Sequence, residues 1–194
     1  MKIRFFYLLL LVTVFSCNDD TEKRIIENER DAKKKEVVFA NINKAWAFNT
    51  QPQNPVAQSL GTNWEQWRIF LAELSQKPQS TIGAFRKKAK TLSLKAKDLS
   101  TTIPVNFNKP EIKSRIAVLT TKINSLNLFI SLNDIPDKKV IAIISEINVE
   151  LASLQRQMAE IVRKTEIPKE EGESDMIRML DTSRAIPNVQ KINP

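Results

Sequence analysis

Cys17 is the only thiol in the 194 residues, and no histidine accompanies it anywhere in the chain. Histidine is the commonest general base and a leading metal ligand. Without it there can be no Ser-His-Asp triad, no Cys-His pair and no histidine-ligated zinc or haem. Glu146, Glu150 and Glu160 fall on one predicted helix. A di-metal site in a helical bundle, however, needs Glu-x-x-His as well as inward carboxylates. Carboxylate-only and Ser-Lys chemistry stay open, but no local motif points to either. The chain therefore reads as a non-enzyme with no cofactor and no metal. The chemistry left to Cys17 is modification of its own sulfur.

The surroundings of Cys17 say which modification. Lys2 and Arg4 make a basic start, Phe5 to Phe15 is an uncharged run of eleven residues, and Val14-Phe15-Ser16 leads into Cys17. A helix that crosses a bilayer core needs about 20 apolar residues, so this run fits a cleaved signal core better than a lasting span. The order resembles the signal peptide and lipobox of bacterial lipoproteins. That resemblance covers the first 17 residues alone. It implies that the Cys17 thiol receives a diacylglyceryl group, that residues 1–16 are removed, and that the new amine is acylated. One acyl chain holds a protein to a membrane only marginally, whereas two or three hold it firmly. Asn18, Asp19 and Asp20 follow. The acidic pair resembles the surface-export signal of Bacteroidota lipoproteins. The implied location is the cell envelope, as an outer-membrane lipoprotein on the periplasmic face or at the cell surface.

Removal of Lys2 and Arg4 with the signal leaves 28 basic residues against 22 acidic ones, a modest net charge of +6. Three glycines disfavour a turn-rich β fold and a glycine-rich phosphate loop. With Cys17 acylated no thiol remains for a disulfide, so an apolar core must hold the domain together.

The pattern of that core is a heptad. Ile112, Ile116, Leu119, Ile123, Leu126 and Ile130 are spaced alternately four and three apart. Val140, Ile144, Ile147, Leu151, Leu154, Met158 and Ile161 repeat it, as do Ile82, Phe85, Ala89, Leu92, Ala96, Leu99 and Ile103. A shorter set is Leu60, Trp64, Trp67, Leu71 and Leu74. Such spacing keeps one helical stripe facing a partner, whereas strands would show period two. The spacing predicts helices near 62–77, 81–102, 110–132 and 137–165, with a short one over 36–48 that carries Phe39, Ile42 and Trp46 on one face. Thr62 and Glu65 have capping-box spacing, Asn108 and Asp134 are expected caps, and Pro78 is expected to break the chain between two helices. Short connectors favour antiparallel neighbours. The expected fold is all-α, an up-and-down antiparallel bundle of three long helices plus shorter N-terminal ones.

This divides the chain into a signal peptide at 1–16, a lipidated charged tether at 17–35, the bundle at 36–165 and an extended or disordered tail at 166–194. The tail combines prolines and an acidic patch with Met176, Met179, Leu180 and Ile186, the expected anchors of a docked partner. Arg86, Lys87, Lys88, Lys90, Lys95 and Lys97 cluster off the seam of one helix, as an expected contact for an anionic surface. Nucleic acid is not an expected partner, since base-stacking aromatics do not accompany the charge. Trp46, Trp64 and Trp67 would form a platform for a small molecule or glycan if they lay open to solvent. Their seam positions favour core packing instead. The sequence thus points to a lipid-anchored scaffold or accessory subunit of an outer-membrane or cell-surface complex, with an aromatic binding module as the alternative.

Overall fold

A computed structural model of the chain describes residues 19–167. It is all-α, with six helices and no strand among the described residues: α1 (Asp19–Ala45), α2 (Pro55–Asn63), α3 (Glu65–Ser75), α4 (Ile82–Thr101), α5 (Pro110–Ile130) and α6 (Asp137–Glu166). A single 3-10 turn, Val105–Phe107, lies between α4 and α5.

Each start has a local cause. Pro55 opens α2 where its missing N–H costs nothing, and Asn54 Oδ1 accepts the Ala57 N–H at 2.8 Å. Thr81 Oγ1 accepts the Ala84 N–H at 3.2 Å and starts α4. Pro110 opens α5 with Glu111 in its first turn, where a carboxylate complements the helix dipole. The three expected caps sit elsewhere. Thr62 lies inside α2, and α3 starts after Trp64, whose extended backbone (φ −123°, ψ 92°) separates the two helices. Lys109 and Pro136 take the N-cap positions expected of Asn108 and Asp134, and neither forms a side-chain cap. Pro78 falls in the connector between α3 and α4, where Ser80 takes a left-handed φ of 72°.

Hydrogen bonds between helices give their directions. Arg86 reaches Ile130 and Ser93 reaches Asn124, so α4 and α5 run antiparallel. Lys122 meets Glu146 and Arg115 meets Ser153 and Gln157, so α5 and α6 do too. Trp64 meets Thr102 and Lys88 meets Glu73, which sets α3 antiparallel to α4. The fold is therefore the expected up-and-down bundle, with α3 as a short fourth member and α2 touching both α3 and α6.

One core unites these helices. Every seam residue expected on α5 and α6 is buried, as are Phe85, Ala89, Leu92, Ala96 and Leu99 on α4, while Ile82 and Ile103 are half-buried. Burial of such stripes is what holds helices that would be marginal alone. On α3 the buried set is Trp67, Phe70 and Leu74, with Leu71 half-buried, so the inward stripe is turned slightly from the expected one.

The charged segment expected as a tether is helical from Asp19 onward and continuous with the helix that carries Ile42. Opposite charges four apart, such as Asp20 and Arg24, Glu29 and Lys33, or Asp31 and Lys35, favour a helix, and no glycine or proline interrupts it. Residues 21–37 are exposed on every side. Packing begins at the half-buried Val38 and Phe39, whose ring meets Phe85 edge-on at 5.8 Å.

Candidate functional site

The three tryptophans do not form an open platform. Trp46, Trp64 and Trp67 are 3%, 2% and 0% exposed. Trp64 stacks on Trp67 at 5.8 Å, and its indole N–H donates to Thr102 Oγ1 at 3.1 Å. Trp46 meets Phe85 and Phe48 edge-on at 4.9 and 5.4 Å. These rings are core.

Beyond Trp46 the chain runs extended along α6, and two amides a heptad apart on that helix hold it. Asn148 Oδ1 accepts the Asn49 N–H at 2.8 Å while its Nδ2 donates to the Ala47 carbonyl at 3.0 Å. Gln155 Oε1 accepts the Gln53 N–H at 2.9 Å, and the Gln155 backbone carbonyl accepts Asn54 Nδ2 at 3.4 Å. Gln155 is the one wholly buried polar side chain among the described residues. Its bond to Gln53 fixes which atom of the amide is the oxygen and leaves Nε2 without a protein partner. The end of α1 and this strap together run parallel to α6, from the Asn41–Asp137 bond of 2.6 Å at one end to Gln155 at the other.

Of the six basic residues singled out on α4, two are structural. Arg86 donates from Nε to the Ile130 carbonyl at 2.9 Å and from Nη2 to the Leu132 carbonyl at 2.8 Å, which satisfies the end of α5 from a neighbouring helix. Lys88 pairs with Glu73 at 2.6 Å in a largely buried position and ties α4 to α3. Lys87, Lys90 and Lys97 are exposed, and Lys95 is half-buried. Between Ile82 and Ile130 there are ten basic residues and only two acids, Asp98 and Glu111. By contrast α1 carries seven of each sign and α6 five of each. The positive excess of the described residues therefore sits wholly on the α4–α5 hairpin.

The acids of α6 face outward. Glu146 pairs with Lys122 at 2.7 Å, and Glu160 with Arg163 at 2.7 Å. The Arg163 hydrogen bond, more than its charge, holds the Glu160 carboxyl below its ordinary range, with Lys164 adding to the effect. Among the described residues no three acidic side chains gather as a metal site would require.

Where α1 leaves the bundle, Asp31, Lys34, Lys35 and Val38 face Ile82, Arg86, Asn133, Asp134 and Ile135 across an open groove of about 800 Å³. Arg86 is committed to the end of α5. Asp137, at the groove edge, accepts from Asn41 and from the Lys138 N–H at 2.8 Å. The groove mixes both signs of charge and presents no set of like groups aimed at one ligand.

Cys17 and the expected partner anchors Met176, Met179, Leu180 and Ile186 lie outside the described residues. No helix among the described residues is long and apolar enough to cross a membrane. No protein-family model, curated protein or solved structure matches this chain.

Proposed function

We propose that this chain is a non-enzymatic, lipid-anchored helical-bundle lipoprotein, an accessory or scaffold subunit of an outer-membrane or cell-surface complex. One observation carries the reading. Helix α1 begins at Asp19, two residues after Cys17, and its charge-rich residues 21–37 are exposed up to where the core begins. A solvated helix in that place is a spacer between an acylated residue and a folded domain. From Asp19 to Val37 it would hold the bundle about 27 Å from the attachment point, at ~1.5 Å per residue. The burial of Trp46, Trp64 and Trp67 weighs against capture of a small molecule on an aromatic face. Met176, Met179, Leu180 and Ile186 are the side chains we assign to the partner.

The test has two arms in the native organism. Cys17→Ala should abolish incorporation of labelled fatty acid and leave the precursor uncleaved, and continued labelling would sink the lipoprotein reading. Deleting 168–194 from the tagged chain should remove crosslinked envelope proteins while the bundle keeps its melting temperature, since the last buried residue among those described is Ile161. Partners that survive the deletion would place the interface elsewhere.

A further inference from the structure

The outward face of α4 is the place where this molecule has charge to spare. Lys87, Lys90, Leu94 and Lys97 follow one another at spacings of three and four, opposite the buried seam Phe85, Ala89, Leu92, Ala96 and Leu99. Unlike the side chains of Arg86 and Lys88, the ammonium groups of these lysines make no hydrogen bond or ion pair among the described residues. Leu94 is 59% exposed in their midst. Four residues of this face thus place three ammonium groups around one aliphatic side chain along about 15 Å of helix.

We propose that this stripe, Lys87, Lys90, Leu94 and Lys97, binds the anionic headgroups of a membrane surface. Three physical arguments favour that occupant. Lys87 and Lys90 stand one helical turn apart, within the ~8 Å over which physiological salt screens charge, and Lys97 lies about 10 Å further along the same face, so all three meet one charged plane. Lysine is depleted from protein–protein interfaces, where its long hydrated stem costs entropy to fix, whereas a diffuse field of phosphates needs no fixed geometry. An exposed leucine between snorkelling lysines matches the interfacial arrangement, with the apolar group below the headgroups and the ammonium groups among them. The inference goes beyond the scaffold reading and stands without the Cys17 anchor, because the face is part of the folded bundle.

The test uses the chain from residue 18 to 194, which keeps every core residue and lacks the acylated cysteine. It should cosediment with vesicles of phosphatidylcholine mixed with phosphatidylglycerol, release at high salt, and ignore phosphatidylcholine alone. Each lysine at such a surface contributes about fivefold in partitioning, so Lys87→Gln/Lys90→Gln/Lys97→Gln should lose roughly a hundredfold. Leu94→Ser should weaken binding without changing its salt dependence. Lys33→Gln/Lys34→Gln/Lys35→Gln, which removes as much charge from the balanced α1, should change binding far less. Equal losses from the two triple variants would overturn the proposal by reducing it to net charge. Binding to neutral vesicles as strong as to anionic ones would overturn it too. So would binding that appears only after 168–194 is deleted, which would give the face to the chain's own acids Glu170, Glu171, Glu173 and Asp175. Capture of soluble polyglutamate without capture of vesicles would assign it to an acidic protein.

Discussion

Gln155, wholly buried in α6, accepts the backbone N–H of Gln53 at 2.9 Å from 102 residues away in sequence. This bond satisfies an amide of the strap that has no helix of its own. It leaves the other end of the Gln155 amide unpaired, so its value is net of a standing cost.

Replacing Gln155 with alanine should therefore cost about 2 kcal/mol, from the orphaned Gln53 N–H and the space left behind. Asn148→Ala, at a half-exposed position where water can take over, should cost less, on the order of 1 kcal/mol. Urea unfolding of both variants checks the order. Equal effects would mean that burial does not decide the strength of the clasp.

Arg86 and Lys87 are neighbours with opposite fates. Arg86→Ala should cost about 2 kcal/mol, because it leaves the Ile130 and Leu132 carbonyls without a charged donor. Lys87→Ala should stay within about 0.5 kcal/mol of the parent, as exposed substitutions usually do. Thermal unfolding followed by circular dichroism separates them, and a matching loss from Lys87→Ala would remove the distinction drawn between the two.

Leu151 is 0% exposed at the centre of the α6 seam. Leu151→Ala should cost about 2–5 kcal/mol, the range for a leucine truncated in a packed core. A domain of this size moves its melting point by about 2–4 °C per kcal/mol, so a shift of several degrees is expected. A variant that melts with the parent would place Leu151 outside the core.

Glu160 should titrate below an ordinary glutamate, and Arg163→Gln should raise its midpoint towards the usual value. The sign for stability follows. A carboxyl whose folded pKa is depressed contributes above its unfolded pKa, and the contribution is lost as pH falls through the folded pKa. The pair is at the surface, so salt should shrink the effect. Side-chain NMR across the acid range, with and without Arg163→Gln, measures it.

Much of the bundle was legible because one physical requirement writes itself into spacing. A long helix with a single buried stripe must repeat its apolar residues every three and four, and α4, α5 and α6 do so for their whole lengths. Phe70 was missed because α3 is short, and over so few turns the stripes through residue 70 and residue 71 read alike. The outer part of α1 was hidden because it buries nothing. Its helicity rests on charge spacing, a weaker signal than a stripe. Helix α2 is nine residues with its one glycine near the end, and only Asn54 and Pro55 announce it. The basic face of α4 was visible as a cluster, but not its division. That Arg86 and Lys88 work inside the fold depends on where the end of α5 and Glu73 stand in space. The amide clasp left no trace in sequence at all, since its partners are about a hundred residues apart.

That separation also sets an order in time. Helices α3 to α6 meet their neighbours across short connectors and can zip together in sequence, whereas Asn41 at the end of α1 and the strap from Ala47 to Asn54 find their partners 96 to 102 residues away. Closing so long a loop is slow compared with pairing adjacent helices. The part of the domain made first is thus the part completed last. Trp46 can meet Phe85 as soon as α4 is made, but the strap beyond it has no seat until Gln155 has left the ribosome. Hydrogen exchange on the finished protein should preserve the same hierarchy, with the Asn49 and Gln53 amides opening before those of α5 and α6.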